Sequence, residues 1–229
     1  MQLLKPGTLF AGGRYEIVRT ISAGGMGVVY EALHRDTRRH RALKVMLPQA
    51  LLDDDLRARF SREGVVTAGI ESEHLVEVFD IGIDEETRAP FLVMELLRGE
   101  DLGARLGRRE RTSPSELLEI FEQICRALAR THAAGVVHRD LKPENLFVTH
   151  REDGSLRMRI LDFGIAKVVD SKESKNTRSI GTPLYMAPEQ MTGKSAHIGP
   201  HVDIYALGQI AFTLLAGAPY FQREAEESP

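Results

Sequence analysis

His138-Arg139-Asp140-Leu141-Lys142-Pro143-Glu144-Asn145 and, about twenty residues on, Asp162-Phe163-Gly164 are the two runs whose reading decides the fold. Each stands beside an apolar, strand-like stretch: Leu146 to Thr149 follows the first, and Leu156 to Leu161 precedes the second. Asp153-Gly154 between the stretches is a hairpin signal. Two short loops so placed put Asp140, Asn145 and Asp162 at one mouth. A carboxylate to receive a proton, with an amide and a second carboxylate to hold a hard cation, is the small set that phosphoryl transfer requires. Singly they say less. Asp-Phe-Gly alone is a common turn, and a lone His138 is more often a hydrogen-bonded core histidine than a catalyst.

Upstream, Tyr15 to Ile21 and Val28 to Ala32 are β-prone runs around Ser22-Ala23-Gly24-Gly25-Met26-Gly27, a strand–glycine turn–strand pattern. Without a Cβ, such a turn lets backbone N–H groups approach phosphate oxygens, although most glycine turns are only hairpins. Gly193-Lys194-Ser195 is no P-loop, because the glycine required five residues before Gly193 is Pro188. Ala42 to Leu47 reads as a third strand. Its Lys44 must snorkel outward or find an anion. Asp53-Asp54-Asp55 can cap a helix from Leu56 to about Ile70, on which Glu63 follows Phe60 by one turn and would face the sheet. Glu63 is the candidate partner for Lys44, unless it is an ordinary solvated glutamate. Leu75 to Ile83 and Phe91 to Leu96 complete a first third made of antiparallel sheet and one helix.

Composition then shifts. Leu97-Arg98-Gly99-Glu100-Asp101 is polar and suits a linker. Ser113-Pro114-Ser115-Glu116 is a capping box with proline at the first helical position. The helix it opens carries Leu117, Ile120, Phe121, Ile124 and Leu128 as a buried stripe, and Gly135 stops it. Val202 to Ala216 is apolar almost all round, interrupted only by Asp203, Gln209 and Thr213, the pattern of a helix inside a core.

The 229 residues can hold one large domain or two small lobes. With 42% apolar residues, 28% charged residues and a net charge of −3, nothing argues for nucleic acid or a charged tail. The single Cys125 excludes an internal disulfide framework and suits a reducing cytoplasm. No stretch near Met1 reads as a signal peptide or a membrane span.

In order and spacing, the glycine turn, strand lysine, helix glutamate, Asp/Asn loop, Asp-Phe-Gly and Ala187-Pro188-Glu189 resemble the protein kinases, specifically the eukaryotic-like Ser/Thr kinases of bacteria. The likeness runs from about Tyr15 to Pro229. It implies an α+β, two-lobed fold: an extension over 1–14, a β-rich small lobe over 15–96, and a helical large lobe over 97–229 that ends early, after the Asp203 helix. It implies ATP and Mg²⁺ as cofactors and protein Ser/Thr hydroxyls as acceptors. In this likeness Asp140 is the catalytic base, Lys142 steadies the γ-phosphate, and Asn145 and Asp162 hold the metal ions. Ile21, Ser22, Ala23, Gly24, Gly25 and Gly27 would form the loop over the phosphates, and Lys44 would bind them while paired with Glu63. Val29 and Ala42 would cover the adenine, with Met94 as gatekeeper and the Glu95 and Leu97 backbones at its edge.

Further expectations follow from the same likeness. Lys142 matches the Ser/Thr pattern, and Thr182 in Gly181-Thr182-Pro183 matches the threonine set near the base. Arg139 before Asp140 is the mark of kinases switched by phosphorylation of the loop after Asp-Phe-Gly, with Thr177 and Ser179, then Ser171 and Ser174, as acceptors. Ser22 stands where the family carries its first loop glycine, which implies a raised KM for ATP. Asp203 would hydrogen-bond the backbone of the His138–Asp140 loop. No arginine can be assigned as partner of Glu189. A partner or further segment would cover the Val202–Ala216 helix, and the isolated chain is expected to be poorly soluble. Two other readings stand beside an active protein kinase: an inactive nucleotide-binding scaffold, and a kinase of small molecules, which usually lacks Ala187-Pro188-Glu189.

Overall fold

The computed structural model describes residues 3–24, 27–46, 69–108, 111–162, 184–191 and 198–221. The helix expected over Leu56 to about Ile70 lies outside them up to residue 68, Glu63 included, as do Gly25, Phe163, Gly164, Ser171, Ser174, Thr177, Ser179 and Gly181-Thr182-Pro183. The chain separates into two compact units between Leu97 and Arg98, with Ile70–Leu75 belonging to the second.

The first unit is an antiparallel sheet of strands β1 (Leu9–Phe10), β2 (Tyr15–Gly24), β3 (Gly27–His34), β4 (His40–Met46), β5 (Val78–Ile83) and β6 (Pro90–Glu95), in the order β1-β2-β3-β4-β6-β5. Period-two alternation puts Val28, Tyr30 and Ala32 of β3, Leu43 and Val45 of β4, and Phe91 and Val93 of β6 on one buried face. Phe10 closes that core edge-on against Phe91, with ring centroids 5.5 Å apart. Each such large side chain contributes about 1.5–3 kcal/mol by leaving water. Leu9 and Phe10 are thus part of the sheet, although two residues give too short an alternation to read as a strand.

The second unit holds β7 (Glu100–Asp101), helix α1 (Leu102–Gly107), helix α2 (Pro114–Ala133), a 3₁₀ turn over Pro143–Asn145, the hairpin β8 (Leu146–His150) and β9 (Leu156–Ile160), and helices α3 (Pro188–Met191) and α4 (His201–Ala216). Ser113 Oγ accepts from Glu116 N at 3.2 Å at the start of α2. The reciprocal arm of the expected capping box is drawn elsewhere: the Glu116 carboxylate sits 2.8 Å from Arg105 Nη2. Gly135, at φ 76°, turns the chain after α2, and Gly154, at φ 83°, turns the hairpin. Ile120, Ile124, Ala127 and Leu128 of α2 pack with Leu146, Met158 and Ile160 of the hairpin and Leu207, Ile210 and Leu214 of α4.

Two expectations need adjustment. The strand read from Leu75 begins at Val78, because Ile70–Leu75 is held by the second unit. Arg130 donates to Glu71 O at 2.6 Å, Arg157 and Arg159 donate to Glu73 O at 3.0 and 2.7 Å, and Ile160 N donates to His74 O at 2.8 Å. The second concerns α4. One face is buried through Val202, Asp203, Ala206, Leu207 and Ile210, while Ile204, Phe212 and Leu215 are exposed, with Tyr220 edge-on to Phe212 at 5.2 Å.

Candidate active site

In the first unit the ladder register collects the candidate nucleotide-binding residues. Val29 pairs with Lys44 and Lys44 with Leu92, while Ala42 pairs with Met94. Residues two apart on a strand share a face, so Val29, Ala42, Lys44 and Met94 all lie on the face opposite the Tyr30–Leu43–Val93 core. Ile21, Ser22, Ala23 and Gly24 are exposed at the end of β2, where Ser22 pairs with Val29 and Gly24 with Gly27. Gly27 is there for want of space: a Cβ on it would lie 2.4 Å from the Val45 carbonyl oxygen. A Cβ on Gly24 would meet no atom of the described residues within 4 Å. Glu95 N donates to Glu77 O at 2.9 Å, and the Glu95 carboxylate accepts from Glu77 N at 2.8 Å. Leu97 ends this unit, half-buried.

In the second unit one carboxylate organises the Asp140 loop from beneath. Asp203, in the first turn of α4 and 1% exposed, accepts from His138 N and from Arg139 N, each at 2.9 Å. Its Oδ2 also lies 2.7 Å from His132 Nε2. Hydrogen bonds of this kind offset the cost of burying the carboxylate. They also hold Arg139 at φ 63°, a left-handed backbone that costs a non-glycine residue about 1–2 kcal/mol.

His138 is fully buried, and burial holds its imidazole below the usual histidine range. Asp140 N donates to its Nδ1 at 3.3 Å, so Nε2 carries the proton and donates to Leu161 O at 2.8 Å. Leu161 N donates in turn to Asn145 O at 2.9 Å. Leu161 is thereby pinned on both sides of its peptide, and the next residue, Asp162, takes φ 50°. Asn145 Nδ2 donates to Asp140 O at 2.8 Å and reaches Asp140 Oδ2 at 3.5 Å. With the nitrogen so used, the amide oxygen is the end left to accept. Lys142 Nζ lies 3.3 Å from Asp140 Oδ2. Asp140, Lys142 and Asn145 thus meet in one bonded cluster, and Asp162 follows directly on the Leu161 that this cluster holds.

Three further contacts escaped the reading of the sequence. His132 binds Asp203 one α-helix away, with no local pattern to announce it. Gln190 donates to Arg139 O at 2.8 Å and accepts from Ala187 N at 3.0 Å. A glutamine three residues after Ala187, opening a short helix, is the second half of a capping box and could have flagged it. His201 Nε2 lies 3.0 Å from Glu189 Oε1, where no arginine partner was assignable.

Comparison with known proteins bears on the same residues. The protein kinase domain model matches residues 15–229. Serine/threonine-protein kinase Pkn1 of Myxococcus xanthus is 37% identical over 214 residues, which is 93% of this chain and 30% of that protein. Serine/threonine-protein kinase PknA of Mycobacterium tuberculosis is 39% identical over 209 residues, 90% of this chain and 47% of that protein. The chain therefore spans about a third to a half of the length of these curated relatives. The crystal structure of the Mycobacterium tuberculosis PknI kinase domain superposes with a TM-score of 0.76 at 33% identity, covering 95% of this chain and 79% of that domain.

Proposed function

The chain belongs to the protein kinase domain family, with the two-lobed fold of that family, and from this premise we propose that it transfers the γ-phosphoryl group of ATP to Ser or Thr hydroxyls of proteins. The observation that carries the proposal is the bonded set Asp140–Asn145–Lys142, held from below by Asp203 and continued through Leu161 to Asp162. Asp140 accepts the proton of the acceptor hydroxyl as the new oxygen–phosphorus bond forms and the bond to the ADP oxygen breaks. Lys142 sets a cation beside that carboxylate and balances charge on the phosphoryl oxygens. A lysine two residues after the base favours Ser and Thr over Tyr.

The donor set suits a divalent cation of the Mg²⁺ kind, since Asn145 offers an amide oxygen and Asp162 a carboxylate, both hard ligands. When bound, such an ion neutralises the charge that develops on the phosphates. On the sheet face, Lys44 would bind α- and β-phosphates, Val29 and Ala42 would enclose the adenine, and Met94, Glu95 and Leu97 would line its edge. Gly25 and Glu63 complete this set outside the described residues. Among the described residues no helix is long and apolar enough to cross a membrane. The ATP requirement and the single Cys125 support a cytoplasmic site of action.

The test is incubation with ATP, Mg²⁺ and a generic basic protein, beside an Asp140→Asn control. Phosphate on serine or threonine that vanishes in the control is the expected result. Nucleotide binding with no transfer would overturn the proposal.

A further inference from the structure

Gln190 spans two backbones with the two ends of a single amide. Its oxygen accepts from Ala187 N at 3.0 Å, closing the first turn of α3, and its nitrogen donates to Arg139 O at 2.8 Å. Arg139 is the left-handed residue, φ 63°, and its carbonyl belongs to the peptide that leads into Asp140. Asp203 holds the N–H side of Arg139 at 2.9 Å, and Gln190 holds the C=O side. A strained residue persists when its surroundings fix both of its peptides. We propose that Gln190 is a positioning residue: it clamps the α3 turn to the Arg139 carbonyl and so holds the Asp140 carboxylate in its working place.

The chemistry singles out glutamine. Glutamate at this position could still accept from Ala187 N but could not donate to Arg139 O, and its charge would face a carbonyl oxygen. Methionine has nearly the same length and can do neither. Alanine leaves the space empty. The two halves of the clamp can therefore be cut separately.

The rate arm of the test rests on the kinase reading; the exchange arm does not. Gln190→Glu and Gln190→Met are compared with the parent chain by residue-resolved amide hydrogen exchange and by steady-state kinetics. Gln190→Glu should keep the Ala187 amide protected, speed exchange of the Asp140 amide that donates to His138, and lower kcat by about tenfold at unchanged ATP KM. Gln190→Met should expose both amides and lower kcat at least as far. Parental kcat and Asp140 exchange in Gln190→Met would overturn the clamp. So would a loss confined to Gln190→Glu, which would mark a charge effect. If the parent chain transfers no phosphate, the kinase reading fails, and the Asp140 amide alone decides whether Gln190 positions the loop.

Discussion

The sheet face that carries Lys44 and the loop that carries Asp140 are built by opposite means. Val29, Ala42, Lys44 and Met94 are placed by strand register, and the backbone ladder that sets it is independent of their side chains. Asp140, Asn145 and Asp162 are placed by side chains that hold backbones: Asp203 on His138 and Arg139, His138 on Leu161, Asn145 on Asp140. The difference separates function from stability on the sheet and fuses the two in the loop.

The sharpest way to break this contrast is to substitute one residue from each region. Lys44→Met should cut phosphoryl transfer by about 10²–10³-fold, the range for removing a charge that stabilises the transition state, with the melting midpoint nearly unchanged. Asp203→Ala should abolish measurable transfer and also cost about 3 kcal/mol of stability, since it orphans the buried His138 N–H and the partly buried Arg139 N–H. For a chain of this size that is a fall in midpoint of roughly 6–12 °C. Equal falls for both variants, read by calorimetry, would erase the distinction.

Glycines sharpen it further. Gly27→Ala forces a Cβ against the Val45 carbonyl at 2.4 Å and should cost about 1–3 kcal/mol, whereas Gly24→Ala meets none of the described residues within 4 Å and should leave the midpoint alone. The exposed Ser22 should matter less still: Ser22→Gly is expected to lower the ATP KM modestly at constant kcat, and unchanged kinetics would refute that role.

The smallest effect is on pH. Burial depresses His74 and His138 below their ordinary 6.5, so the fold keeps them neutral while the unfolded chain takes up protons. Their contribution is fully present above about pH 6.5 and is lost as the pH falls toward the folded-state values. Midpoints recorded from pH 8 to 5 should decline on the acid side, and His74→Gln should flatten part of the decline.

Much of this was legible in the residues, for a physical reason. The Ser113 cap and the Asp153-Gly154 turn are local signals that neighbours in sequence satisfy by themselves, and the α2 stripe shows in its helical spacing whichever partners later cover it. Asp203 is placed by the kinase resemblance; its own helix shows it only as one of the few polar breaks in an apolar run. What stayed hidden depends on distant partners. Leu75 and Val76 look like the start of a strand, yet three arginines from elsewhere in the chain claim the backbone before them. His132 and Gln190 are unremarkable in composition and acquire meaning only where α4 and the Arg139 carbonyl come to meet them.

The Asp203 carboxylate also dictates how the loop comes apart. Two of its three bonds tie the His138–Arg139 backbone, and the third ties the His132 ring of α2, to a helix whose Val202, Ala206 and Ile210 are core. Local fraying cannot release His138 or Arg139 while α4 keeps its place. Anyone wishing to soften this loop, by design or with a ligand, would have to act from inside the lobe.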